Sequence, residues 1–376
     1  MIKEIEREIT MSTGIVYDDI YLEHDIGTQL QHVESHERLI SIMNFLKEQQ
    51  ILEDPNFKII KPRKATLEQI KYVHRERLIK EIQEICDLSA KTNRLQAIDM
   101  DTVASPKTYE ASLFSVGGNL QAIDEILNRN VKNAFALVRP PGHHSNSHKF
   151  AGFCIFNNIA VAAEYLFREK GVKRIVIIDW DCHHGNGTQD VFYQGTKSNL
   201  GELVMFNSHQ YGYFYPGTGN YDEIGTGNGV GKIINYPMPA GSADDVIPLY
   251  LNQIIIPICD EFKPEFILIS AGFDTHWTDQ LTNMGWTYQA PANYLKKIKE
   301  IAHKYASDRI LITLEGGYEL DKQARAVYNC LRVLNDEDDN LILEEPRFSR
   351  PELLDYFNNK LIPALKEKLK PYWECF

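Results

Sequence analysis

No stretch of the 376-residue sequence approaches the roughly 18 consecutive apolar residues that a membrane-spanning helix requires. Binding to or passage through a membrane is therefore not expected. No C-x-x-C pair occurs either. The six cysteines, Cys86, Cys154, Cys182, Cys259, Cys330 and Cys375, are scattered, which reads as reduced intracellular thiols rather than a disulfide framework or a Cys-based zinc site. An excess of basic charge is also missing. Lys and Arg number 40 against 52 Asp and Glu, a formal net charge of -12, so electrostatic capture of nucleic acid is disfavoured. A cationic substrate remains permitted. The first residues, Met1 to Arg7, are charged and lack the apolar core of a signal peptide, so a cytoplasmic location is expected. No fixed-period repeat and no low-complexity linker divides the chain.

What is present is ordinary globular composition, 43% hydrophobic and 24% charged, enough to bury a large core without disulfide or metal staples. Length alone suggests two to three domains; the spread of the motifs favours one large α/β domain over 1–376. The first hundred residues read as helical. Thr66 with Gln69 forms a capping box, opening a segment whose Leu67, Ile70, Val73, Leu78, Ile79, Ile82 and Ile85 are spaced for one helix face. His74 on that segment reads as structural. From about residue 133 the pattern changes to strand, turn, helix. Short apolar runs at 135–138, 175–178, 203–206, 266–269 and 310–312 predict strands buried on both faces. Helical segments lie near 156–170, 243–262, 290–306 and 320–335. Alternating strands and helices predict a parallel sheet with right-handed crossovers.

Ligands of such sheets bind beyond the carboxyl ends of the strands. Four of the runs are followed by chemically loaded segments: Arg139-Pro140-Pro141-Gly142-His143-His144, Asp179-Trp180-Asp181-Cys182-His183-His184, Gly272-Phe273-Asp274 and Glu315-Gly316-Gly317-Tyr318. Asp179, Asp181 and His183 alternate, so an extended backbone would send all three side chains the same way. A strand-end Asp can instead cap a turn, but two carboxylates and an imidazole together suit a divalent metal. Asp274 could complete a set of Asp181, His183 and Asp274, three protein ligands with one position left open, as in catalytic zinc sites. A 2-His-1-carboxylate iron site needs the opposite ratio of ligands. His143 and His144 could act as base and acid in hydrolysis, or as supporting groups or a metal pair. Asp179 could fix the tautomer of one of them. Tyr318, after two glycines, could donate to a developing oxyanion or simply pack at a loop.

Together with Gly152-Phe153-Cys154, the Asn186-Gly187-Thr188 continuation and Tyr215-Pro216-Gly217-Thr218-Gly219, these segments occur in an order that resembles the zinc-dependent histone deacetylase superfamily. That superfamily includes acetylpolyamine amidohydrolases and bacterial deacetylase-like proteins. The resemblance spans about 15–335 and is class II-like: Asn186 stands where class I enzymes have Asp, and Asp274-Thr275-His276-Trp277-Thr278-Asp279 is similar to bacterial and plant relatives. It implies an arginase/deacetylase fold, α/β with a central, mostly parallel eight-stranded sheet, and a C-terminal helical appendage over about 335–376. By the same resemblance Asp181, His183 and Asp274 hold one Zn2+. His143 and His144 are the tandem base and acid, and Tyr318 polarises the scissile carbonyl. Gly152, Phe153 and Tyr215 line the acyl-lysine channel, and Asp101 is a rim carboxylate. A K+ site is implied at Asp179, Asp181 and His183, with Asn207 near the position of a family Ser.

Departures from the family pattern are visible. His32-Val33-Glu34-Ser35-His36-Glu37-Arg38-Leu39 lacks both prolines of the corresponding family segment, and Gln280 replaces a usual Pro. His24, His32, His36, His209 and His276 read as loop or structural histidines. Leu281 occupies the gatekeeper position where polyamine-selective relatives carry Glu, which favours acyl-lysine of proteins or peptides over acetylpolyamines. Acidic residues of the N-terminal region, Asp18, Asp19 or Glu23, could still supply polyamine selectivity. A non-enzymatic acyl-lysine reader would be expected to lack a ligand or Tyr318, and a two-manganese arginase-type centre would need second-metal ligands that are not evident. A homo-oligomer is compatible with the sequence.

Overall fold

The computed structural model describes residues 11–376; the charged start, Met1 to Arg7, lies outside them. Among the described residues ten strands occur in chain order: β1 Thr13–Val16, β2 Phe57–Ile60, β3 Gln96–Ala97, β4 Val103–Ala104, β5 Asn133–Ala136, β6 Arg174–Asp179, β7 Glu202–Gln210, β8 Ile233–Met238, β9 Phe266–Ala271 and β10 Ile310–Leu314. Eight of them form one sheet in the order β2-β1-β5-β10-β9-β6-β7-β8, and every pairing in it is parallel. β3 and β4 form a separate antiparallel pair. The inner strands are buried on both faces, which is why they read as unbroken apolar runs instead of alternating ones.

Helices cover the sheet in two groups. Thr108–Leu127 packs on Asn158–Lys170, while Glu37–Glu48 packs along Leu320–Leu334, which in turn meets Ala290–Ile301. Asn157 caps the second of these helices, its side chain accepting the Ala160 amide, and Gly171 ends it in the left-handed conformation that favours glycine. Among the described residues no helix is long and apolar enough to cross a membrane.

Three sheet strands were not foreseen. β1 and β2, four residues each, are too short to show a period and lie in the region read as helical. β8 carries Pro237 and survives because it is an edge strand. β7 is longer than expected, and β5 begins and ends two residues earlier. The capping box at Thr66 is present, but it opens only a four-residue helix, Leu67–Ile70. The apolar face then breaks, and a second helix starts at Glu76. The break arises because Arg75 turns extended and gives its amide to the Ser147 carbonyl. His74 donates through Nδ1 to the Asn146 carbonyl and accepts the Asn157 amide at Nε2. The segment after Asn335 forms helices Pro351–Tyr356 and Ile362–Leu369, joined by a π turn. Its Phe357, Leu361, Leu365, Leu369 and Trp373 are buried in the same hydrophobic cluster as the sheet.

The strand order places β9 and β10, late in sequence, between β5 and β6. The carboxyl ends of these four adjacent strands therefore deliver the four motif segments to one edge, at the topological switch point where α/β sheets bind ligands.

Candidate active site

β6 ends at Asp179, and the chain beyond it turns instead of staying extended. The turns are made by the acidic side chains themselves. Asp179 Oδ1 accepts the Asp181 amide at 3.1 Å, and Asp181 Oδ1 accepts the His183 amide at 2.8 Å. The carboxylates thus both cap a turn and converge. Asp181, His183 and Asp274 offer ligand atoms within 4.8 Å of one another; His183 Nδ1 is 3.2 Å from Asp181 Oδ1 and 2.9 Å from Asp274 Oδ2. Three buried or nearly buried groups, two of them acidic, with their ligand atoms this close, fit a divalent cation. Without compensating charge the cluster is costly. Burial pushes Asp274 up, and Asp181 adds to it, whereas for His183 burial is outweighed by the two carboxylates, which push it up to about 10. The neighbouring His184 turns away, bonded to Thr218 and Gln189.

Backbone shape protects this cluster. A Cβ on Gly316 would lie 2.5 Å from Asp274 Oδ2 and 2.7 Å from Asp181 Oδ2, while the Gly316 amide donates to Asp181 Oδ2 at 2.8 Å. Only glycine lets the β10 turn come this close.

His143 donates from Nδ1 to Asp179 Oδ2 at 3.0 Å, leaving Nε2 facing Asp181 at 3.9 Å. His144 donates from Nδ1 to Asn186 Oδ1 at 2.7 Å. The two rings lie 4.0 Å apart. Their environments differ in sign. Burial opposes charge on His143, but Asp179, Asp181 and Glu315 outweigh it and push the imidazole up to about 10. His144, buried and facing two other imidazoles, falls well below the usual value.

His143, His144 and His183 line a cavity of about 340 Å³ whose walls include Asp101, Gly152, Phe153, Tyr215, Leu281 and Tyr318. Gly152 takes φ +54°, and a Cβ there would meet His144 Cδ2 at 2.3 Å. Phe153 holds φ +68°, a strained value for a side-chain-bearing residue. Its ring stands edge-on to Tyr318 and to His32. His32, read as a loop histidine, donates from Nε2 to the Asp101 carbonyl. Asp18, Asp19 and Glu23 are not wall residues; Asp18 caps a 3-10 turn and pairs with Lys61, and Asp19 accepts from Tyr17. Asn207 lies beside Asp179 in the sheet register, its amide buried and both polar atoms unpartnered within the protein.

A larger groove of about 750 Å³ lies against Ala290–Ile301, far from these motifs in chemistry. Lys296, Lys297, Lys299 and His303 along it are each paired with a carboxylate.

Several supporting residues escaped sequence reasoning. Glu315, quoted only as part of a turn, accepts the Gly142 and His143 amides and Ser270 Oγ, and burial pushes it up to about 7. Glu34 sits fully buried between Arg38 and Arg139. Arg38 also donates to the Glu315 and Gly317 carbonyls and lies 5.1 Å from the Tyr318 ring centre. Asp279, 5% exposed, accepts the Tyr318 amide at 2.8 Å and the Leu281 amide at 2.9 Å. Only Glu315 carried a signal, an acidic residue between an apolar run and two glycines; Glu34, Arg38 and Asp279 sit among polar neighbours that announce neither burial nor partner.

The sequence profile of the histone deacetylase domain matches residues 32–334. The "Probable deacetylase" of Archaeoglobus fulgidus is 35% identical over 375 residues, spanning 97% of this chain and 100% of its own. Histone deacetylase 14, chloroplastic, of Arabidopsis thaliana is 36% identical over 323 residues, 82% of this chain and 74% of that protein. The crystal structure of the HDA15 HD domain superposes with a TM-score of 0.84 at 28% identity, over 97% of this chain and 96% of that one. With its eight parallel strands and motif-bearing sheet edge, this chain belongs to the histone deacetylase family, has the arginase/deacetylase fold, and is a hydrolytic deacetylase.

Proposed function

We propose that the protein is a zinc-dependent amide hydrolase that removes acetyl or other acyl groups from lysine side chains of proteins or peptides. One observation carries the reading: Asp181 and Asp274 converge on His183, which lines a cavity that also holds the His143–His144 pair and Tyr318. The family is generally zinc-dependent. Bound by these three groups, zinc would supply a Lewis acid for the acyl carbonyl and for a water.

The chain's own residues do the rest. The carboxylates that push His143 up would have their charge offset by a bound zinc, and His143, held by Asp179, would then present an unprotonated Nε2 to take a proton from the attacking water. His144, oriented by Asn186, serves the leaving nitrogen, to which a proton passes as the amide C–N bond breaks. The Tyr318 hydroxyl donates to the oxygen on which negative charge develops. Phe153 and Tyr215 pack along the acyl-lysine stem beside Gly152 and exclude water from it. Asp101 receives backbone amides at the rim. Acetate and free amine leave. The apolar Leu281 at the mouth offers no partner to a second ammonium, which supports lysine over acetylpolyamine. The orphaned amide of Asn207 supports a monovalent cation, K+, held with Asp179, Asp181 and His183.

We read 1–376 as one catalytic domain, supported by the single hydrophobic cluster that unites the C-terminal helices with the sheet. A cytoplasmic location is supported by six free cysteines.

The test is hydrolysis of an acetyl-lysine peptide beside acetylputrescine and acetylspermidine by zinc-loaded protein. Peptide turnover that depends on metal and falls about 10²–10³-fold in Tyr318→Phe is the expected result. Preference for the polyamines would overturn the lysine assignment, and full activity of Tyr318→Phe would remove the tyrosine from the chemistry.

A further inference from the structure

From Leu341 to Arg350, beyond the segment matched by the family profile, the chain runs without regular structure. Side-chain amides hold it in place of a strand partner. Asn329 both donates to the Ile342 carbonyl and accepts the Ile342 amide. Gln289 does the same for Glu344, and the Tyr288 hydroxyl donates to the Leu343 carbonyl at 2.6 Å. This two-point grip holds Glu344, partly buried, against the protein.

The carboxylate of Glu344 collects three N–H groups. Oε1 accepts from Trp277 Nε1 at 2.6 Å; Oε2 accepts from His276 Nε2 at 3.1 Å and from the Tyr288 amide at 3.2 Å. The His276 tautomer suits this, because its Nδ1 accepts the Thr278 amide and leaves the proton on Nε2. Arg347 adds a guanidinium 4.5 Å from the Trp277 ring centre. All three donors belong to the loop and turn beside the pocket, none to the extended segment itself.

That loop ends in Asp279, whose amide donates to the His276 carbonyl at 2.9 Å. Asp279 in turn receives the Tyr318 and Leu281 amides. A continuous set of bonds therefore runs from Glu344 through His276 and Asp279 to the oxyanion donor and to the mouth of the cavity.

We infer that Glu344 is a positioning residue: by bonding His276, Trp277 and Tyr288, it sets the loop that places Tyr318 and Leu281 in the pocket. The inference rests on the deacetylase reading of that pocket. Its consequence is that the C-terminal segment contributes to catalysis from outside the family's matched region.

The decisive variant is Glu344→Gln, which keeps the size but turns an NH2 toward N–H donors. Turnover of the acetyl-lysine peptide is measured per active site, titrated with a tight-binding hydroxamate, alongside amide hydrogen exchange at Tyr318. Expected are a fall in kcat of about tenfold, as for a small misplacement of a catalytic group, and faster exchange of the Tyr318 amide. Trp277→Phe, losing one bond of three, should move both readouts the same way by a smaller factor. If Glu344→Gln does not fold, Trp277→Phe decides by the same criteria. A kcat per titrated site within twofold of wild type, or unchanged exchange at Tyr318, overturns the inference whatever the melting temperature does. Wild-type protein inert on every acyl substrate would instead defeat the deacetylase reading, and Tyr318 exchange alone would then judge the role of Glu344.

Discussion

Gly316→Ala is the smallest change that should separate metal binding from folding. The backbone at Gly316 is not in the left-handed region, so alanine is tolerated conformationally. The difficulty is space. The new methyl carbon would lie 2.5 Å from Asp274 Oδ2 and 2.7 Å from Asp181 Oδ2, where ordinary contacts begin near 3.4 Å. Each oxygen must therefore retreat by roughly 0.7–0.9 Å, well outside the ~0.2 Å tolerance of metal–ligand distances. Neither carboxylate is free to swing away: Asp181 Oδ2 already accepts the Gly316 amide, and the other Asp274 oxygen accepts the Cys182 amide. Disturbing even groups behind metal ligands typically costs about 10–100-fold in affinity or activity, and displacing two of the oxygens proposed to hold the metal should cost at least that. Zinc content per chain, measured by elemental analysis after dialysis against a competing chelator, should fall at least tenfold. Far-ultraviolet circular dichroism should remain that of the wild type. A variant that retains zinc against the same chelator, with kcat/KM within threefold of wild type, would refute the assignment of these two carboxylates.

Three further outcomes are expected. Replacing Glu34 with Gln removes the carboxylate paired with two fully buried guanidinium groups, those of Arg38 and Arg139, and should destabilise the fold by about 3–5 kcal/mol, read as a lowered urea midpoint. An unchanged midpoint would show that the buried arginines find other partners. His74 is buried and neutral, pushed down to about 4 by desolvation, which outweighs its bond to Asn146. The unfolded chain takes up this proton first, near the ordinary value of about 6.5, so stability is intact above that pH and declines as pH falls toward 4. The full effect is about 3 kcal/mol, and His74→Gln should flatten the stability profile over that window by a comparable amount. Leu281→Glu places a carboxylate at the mouth and should improve kcat/KM for acetylspermidine about tenfold relative to the acetyl-lysine peptide. An unaltered ratio would remove Leu281 from substrate choice.

The site was more legible than the fold around it. Catalytic chemistry demands particular residue types, and Asp181-x-His183, the His143–His144 pair and the Gly316-Gly317-Tyr318 turn keep those types at short sequence spacing. The inner strands were legible for a related reason: β6, β9 and β10 are buried on both faces, so hydrophobicity alone marks them. β1, β2 and β8 were missed because a four-residue run, or one containing Pro237, owes its strand state to a neighbour already in place. The apolar face from Leu67 to Ile85 was correctly seen but wrongly continued, since the Ser147 carbonyl, remote in sequence, draws the Arg75 amide out of the helix.

By itself the sequence determined the class of chemistry, the expected metal-binding set and the strand-ending positions of the reactive groups. Side-chain type and local period are properties a linear chain carries openly. Only the tertiary structure decided that Glu315 receives the amides of Gly142 and His143, that Arg38 spans to the carbonyls of Glu315 and Gly317, and that Glu344 reaches the His276–Trp277 loop. These partners lie from 67 to 279 residues apart in sequence. Buried charges and N–H groups must find partners wherever the fold brings them, and that location follows from strand order, which no local pattern encodes.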